Sequence, residues 1–175
     1  MKKYVAFLRA INVGGTKVIK MEDLKRMFES FGLANVQTYI QSGNVIFESN
    51  DSDSAFLETK IESQLEKRLG YKVEIFLRTM RELSSIAKQT HFKVQEDETL
   101  HIVFLREKPD KKAEQTLMTF KSDADDFAVI GREVYNLRRN RERSVFSNNF
   151  IEKIFKIPGT TRNITTIHKI LEKFK

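Results

Sequence analysis

Two hairpin signals, each set between helical stripes, constrain this chain more than any other feature of its 175 residues. In VQTYIQSGNVIFES, residues 36–49, β-branched and aromatic side chains alternate with amides on both sides of Ser42-Gly43. A turn at those two residues sets Ile40 against Val45, Thr38 against Phe47, Tyr39 against Ile46 and Gln41 against Asn44. Upstream, Tyr4–Ile11 is an apolar, strand-like run ending at Asn12. Met21, Leu24, Phe28 and Phe31 then recur at helical spacing before Gly32. Downstream, SNDSDS offers helix N-caps, and Leu57, Ile61, Leu65 and Leu69 form a stripe that stops at Gly70. Tyr71–Leu77 is a further strand. The order is β-α-β-β-α-β, the ferredoxin-like split unit.

After a connecting helix around Glu82–Gln89 and a polar HFKVQEDET joint, the order restarts. His101–Arg106 is strand-like, and Pro109-Asp110 opens a helix with Ala113, Leu117 and Phe120 on one face. Asp126–Ile130 and Glu133–Leu137 flank Gly131-Arg132 as a second hairpin. Ser147–Ile157 is helical and ends before Pro158-Gly159. A last helix from Asn163 carries Ile164, Ile167, Leu171 and Phe174. The expected fold is α+β, with two ferredoxin-like halves, the second partial and ending in extra helices. Residues 1–80 form one half, 81–98 a connecting helix and joint, and 99–175 the other half.

No apolar run approaches the ~20 residues that span a bilayer. MKKYVAFLRAINVGG begins as a signal peptide might, but Arg9 and Asn12 interrupt it, so it reads as a first strand. The absence of cysteine excludes disulfides and thiol chemistry and fits a cytoplasmic protein. The net charge of +7 is confined to one end. Residues 132–175 hold 11 Lys and Arg against 4 Asp and Glu, and residues 1–131 are balanced at 20 of each. Such asymmetry implies either an anionic partner for that end or a solvated basic surface.

LRAINVGG at 8–15, Met21–Leu24, TYIQSGNVIF at 38–47 and TTRNITTIHKI at 160–170 together resemble a bacterial family known as domain of unknown function 1697. The resemblance runs from the start of the chain to its end. It implies a ferredoxin-like α+β fold and no established reaction. The family usually has Gly where this chain has Ala10 and often Trp where it has Ile164, which removes an aromatic that would stack on a base or ring.

Four segments are candidates for chemistry. NVGGTK lacks the spacing of a Walker loop or a dinucleotide fingerprint. It is either an anion nest, with Gly14 and Gly15 freeing backbone N–H groups beside Lys17 and Lys20, or a plain β-to-α turn. The hairpin puts Gln37, Tyr39, Gln41 and Asn44 on one face, open to RNA, a ligand or another sheet, although the sequence signature of an RNA-recognition motif is lacking. NLRRNRERSVFSNN crowds Arg138, Arg139, Arg141 and Arg143 before a helix, suited to phosphate oxygens. TTRNITTIHK places Arg162 at the positive end of the last helix, with Thr161 or Asn163 as its cap.

His91, His101 and His168 have no metal-ligand spacing, and no cofactor is implied. EDE at 96–98 and DADD at 123–126 read as solvated acid. The leading expectation is a module that binds a nucleotide or nucleic acid through residues 132–175. The alternatives are a metal-free enzyme drawing on Tyr39, Arg9, Arg162 or His168, and a homo-oligomer that uses the sheet face.

Overall fold

The computed structural model describes residues 1–9, 18–89 and 92–175. The chain divides into two compact units, Met1–Ser84 with Phe174 and Ser85–Lys173 with Lys175.

The first unit contains β1 (Lys2–Leu8), α1 (Met21–Ser30), β2 (Ala34–Tyr39), β3 (Asn44–Ser49), α2 (Ser54–Leu69) and β4 (Ile75–Thr79). Its antiparallel sheet runs β2-β3-β1-β4. Alternation along the strands decides what faces the helices. Tyr4, Ala6, Leu8, Val45, Phe47, Ile75 and Leu77 meet Leu24 and Phe28 of α1 and Leu57, Ile61 and Leu65 of α2 in one core. Each fully buried side chain of this size contributes about 1.5–3 kcal/mol. Asp53 caps α2 by accepting from the N–H groups of Ala55 and Phe56, and Gly70 ends it at φ 79°.

The hairpin register differs from expectation. Its loop is four residues, 40–43, and Tyr39 pairs with Asn44, Thr38 with Val45 and Gln37 with Ile46. Ile40 and Gly43 both take positive φ, 51° and 80°. The Asn44 amide closes the loop by donating to the Tyr39 carbonyl (2.9 Å) and the Ser42 hydroxyl (3.2 Å). Because the pairing slips by two residues, each side chain keeps its face.

The connecting helix α3 (Met80–Lys88) starts earlier than its apolar pattern suggests. Thr79 and Glu82 form a reciprocal capping box there, Thr79 N–H to Glu82 Oε2 at 2.7 Å and Glu82 N–H to Thr79 Oγ1 at 3.1 Å.

The second unit contains β5 (Thr99–Leu105), α4 (Lys111–Met118), β6 (Asp125–Ile130), β7 (Glu133–Arg138), α5 (Asn148–Phe155), β8 (Gly159–Asn163) and α6 (Ile164–Lys173). Its sheet runs β6-β7-β5-β8, the same relative order as the first. The expected hairpin forms, with Ile130 opposite Glu133 across Gly131-Arg132. Gly131 at φ 61°, with no positive φ at Arg132, fits a II′ turn.

The second half is not partial. TTRN, expected at a helix start, belongs to the fourth strand, β8, where Thr160 pairs with Phe104 and Arg162 with Ile102. GTTRN has no apolar side chain to mark it as a strand. Its place depends on Gly159, where a Cβ would lie 3.0 Å from both Leu105 Cδ2 and Val103 Cγ1. Asn163 then caps α6, its Oδ1 accepting from Thr165 N–H at 3.0 Å. Ile170, rather than Leu171, joins Ile164 and Ile167 as the buried stripe of α6. Val103, Leu105, Phe127 and Val134 of the sheet pack with Leu117 of α4 and Ile151 and Phe155 of α5.

Both sheets are buried on their second faces too. Val5, Phe7, Phe76 and Arg78 are at most 1% exposed in the first, as are Leu100, Ile102, Phe104 and Tyr135 in the second.

Candidate functional site

The arginine segment leaves β7 and runs as a loop into α5, which Ser147 caps by accepting from Phe150 N–H at 3.0 Å. Two of its four arginines are matched by carboxylates. Arg143 Nη1 donates to both oxygens of Asp123, at 2.9 and 2.8 Å, and holds that carboxyl below its usual range. Arg139 lies 3.5 Å from Asp126 and 3.6 Å from Glu98. The acidic run at 123–126, expected to be solvated, is therefore the counter-charge of this loop, and Glu98 belongs to it as well. Arg138, half-buried at the end of β7, and Arg141, exposed in the loop, have no carboxylate partner among the described residues.

Beneath the loop lies a polar cluster that sequence reasoning missed. Asp125 is fully buried. Its Oδ1 accepts from Ser144 Oγ (2.7 Å) and Asn136 Nδ2 (2.9 Å), and its Oδ2 from Val145 N–H (2.9 Å). Asn136, also fully buried, sits directly opposite His101, and Arg138 sits between Asp125 and Thr99. Opposed residues of an antiparallel pair share a face, so all five side chains lie on the side that carries Val103 and Val134. Three buried polar atoms here make no hydrogen bond: Thr99 Oγ1, His101 Nδ1 and Asn136 Oδ1. Phe146 stacks on the His101 ring at 5.2 Å and 27°. Burial and the neighbouring Arg138 charge lower the His101 pKa, while Asn136 and Asp125 oppose them. The only sequence cue is a lone histidine inside LHIVFL; Asp125 and Asn136 join it only through strand pairing.

The remaining expected site residues fall elsewhere. Gly14, Gly15 and Lys17 lie outside the described residues. Arg162 is 8% exposed inside the sheet, its Nη1 donating to Thr160 Oγ1 and the Thr161 carbonyl at 2.9 Å each; burial lowers its pKa to about 10. Its side chain is thus buried against its own strand, where the expectation had it at the exposed start of α6. Asn44 is fully buried, Tyr39 is half-buried, and Gln41 is exposed with its amide 3.3 Å from the Ile19 carbonyl. Arg9 pairs with Glu74 at 2.8 Å, and His168 is exposed on α6. Among the described residues no group of His, Asp or Glu is placed to hold a metal, and no helix is long and apolar enough to cross a membrane.

A hollow of about 450 Å³ lies between α4 and the edge strand β6, floored by Met118, Phe127 and Val129. Its rim charges are already paired, Lys111 with Glu114 at 3.5 Å and Lys121 with Asp126 at 3.2 Å.

Among solved structures, a conserved bacterial protein from Streptococcus pneumoniae, SP0830, is similar at 21% identity and a TM-score of 0.77, with 99% of each chain covered. At that identity the likeness shows a shared fold. No curated protein matches the chain. The sequence profile of one family, described as "Protein of unknown function (DUF1697)", matches residues 1–135 and so includes β5, β6 and the start of β7. With more than three-quarters of its length in that match, the chain belongs to the DUF1697 family, whose function is unknown.

Proposed function

We propose that this protein binds a phosphate-bearing ligand, a nucleotide or nucleic acid, through the basic end of its second unit. The observation that carries this reading is the split within the arginine segment. Arg139 and Arg143 have carboxylate partners, whereas Arg138 and Arg141 have none among the described residues. These two guanidinium groups have no carboxylate within ion-pair distance among the described residues, they lie in the stretch 132–175 that holds the whole +7 excess, and their forked donors match phosphate oxygens in geometry and charge. The alternatives draw less support. Arg9 is engaged by Glu74, and Arg162 is buried within its sheet. The sheet faces available for self-association are buried among the described residues.

The test is fluorescence anisotropy with labelled oligonucleotides and with a labelled nucleotide, over rising salt. Affinity should fall steeply as salt rises, because bound phosphates release counterions. No uptake of any of these at low salt overturns the reading.

A further inference from the structure

Asp125 fixes more than the loop above it. Its carboxylate can only accept, so the Asn136 group 2.9 Å from Oδ1 must be the NH₂, and Asn136 Oδ1 must point away. That oxygen is buried and lacks a donor. On the opposed residue, His101 Nδ1 is buried and also lacks a partner. A proton on Nδ1 turns that nitrogen into the donor the Asn136 oxygen lacks, and buried polar groups are rarely left unmet. His101 is half-buried, and in this tautomer its other ring nitrogen, Nε2, presents a lone pair. The Phe146 ring stacked on the imidazole limits its rotation. Arg138 is the diagonal neighbour of His101, with Cβ atoms roughly 7–8 Å apart by sheet geometry. Thr99, opposite Arg138, adds a buried hydroxyl without a partner.

We propose that His101 and Arg138 recognise a small phosphate ester carrying a neighbouring hydroxyl, with Asn136 and Asp125 positioning the imidazole as the Nδ1–H tautomer. Arg138 takes the phosphate, and His101 Nε2 accepts the hydroxyl proton in a hydrogen bond. A phosphate monoester dianion without that hydroxyl leaves Nε2 without a donor, and a polyol alone leaves Arg138 without an anion. The inference rests on the anion-binding reading and gives it a ligand class. The lowered His101 pKa is consistent with it, since the neutral ring is the form that accepts.

Long-range ¹H–¹⁵N correlation of the His101 ring in the full chain tests the tautomer at neutral pH. Nδ1 should be protonated and Nε2 bare, and glycerol 3-phosphate should shift Nε2. Calorimetric titration at about pH 8, where both monoesters are dianions, should show glycerol 3-phosphate binding up to about tenfold tighter than propyl phosphate, the worth of one added hydrogen bond. His101→Phe should erase that preference while propyl phosphate still binds, and Arg138→Gln should abolish binding of both. An Nε2–H tautomer, or equal affinity for the two probes, overturns this inference while Arg138-dependent phosphate binding stands. No binding of either probe by the wild-type chain overturns the anion reading itself, and the ligand class with it.

Discussion

Asp125→Ala removes one fully buried carboxylate and leaves three donors without their acceptor. Hydrogen bonds to a charged group contribute about 1.5–3 kcal/mol each, but the three losses are unequal. Ser144 and Val145 belong to a half-buried to exposed loop and can turn toward water. Asn136 is at 0% exposure and cannot. The full cost therefore falls on one amide and part of it on the other two groups, a destabilisation of about 3–5 kcal/mol. Asp125→Asn keeps the shape and one acceptor oxygen, and should cost about 1–3 kcal/mol. Urea unfolding followed by circular dichroism measures both, with an unchanged slope showing that the unfolded state is unaffected. A loss below about 1 kcal/mol for the alanine variant would refute Asp125 as the hub of the loop.

Gly159→Ala should cost about 1–3 kcal/mol by overpacking, because the new methyl meets Leu105 and Val103 at 3.0 Å and the Phe104 carbonyl at 3.2 Å; urea unfolding checks it. Tyr135 donates to the Ile86 carbonyl at 2.8 Å, and Tyr135→Phe should cost about 1 kcal/mol. Burial raises the Tyr135 pKa above its ordinary 10.0, so its contribution is intact below that value and fades as pH rises past it. Stability measured across the alkaline range should fall less steeply in the phenylalanine variant. His101 has the opposite sign. Its pKa is lowered from 6.5, so its contribution is present above that pH and is lost as pH falls below it. Wild-type stability should fall more steeply toward acid pH than that of His101→Phe, and parallel curves would refute the burial of its neutral ring.

The sequence was most legible where local chemistry and tertiary pairing agree. Gly131-Arg132 between two alternating runs specifies its hairpin, and Gly70 ends α2 as its left-handed stop. The first hairpin showed its faces but not its register, because Asn44 ties back to Tyr39 and Ser42 and widens the loop beyond what Ser42-Gly43 alone suggests. β8 was illegible, since its placement comes from backbone pairing to β5 and a glycine contact, neither of which leaves a periodic trace. The candidate site was half legible. The arginines stand out by density, but what distinguishes Arg143 from Arg141 is Asp123, 20 residues away in sequence. Burial of Asp125 inside an acidic run is equally non-local, because Ser144 and Val145 approach it only when the loop folds back.

The central claim is that the unmatched arginines hold the ligand, and one comparison tests it most directly. Phosphate-ligand affinity should be measured at fixed low salt for Arg138→Gln/Arg141→Gln and for Arg139→Gln/Arg143→Gln, two variants of equal charge change. The first pair should abolish binding, while the second, whose side chains already face Asp123, Asp126 and Glu98, should leave most of it. Equal losses from both pairs would mean that net charge alone attracts the ligand, and would contradict a site built at Arg138.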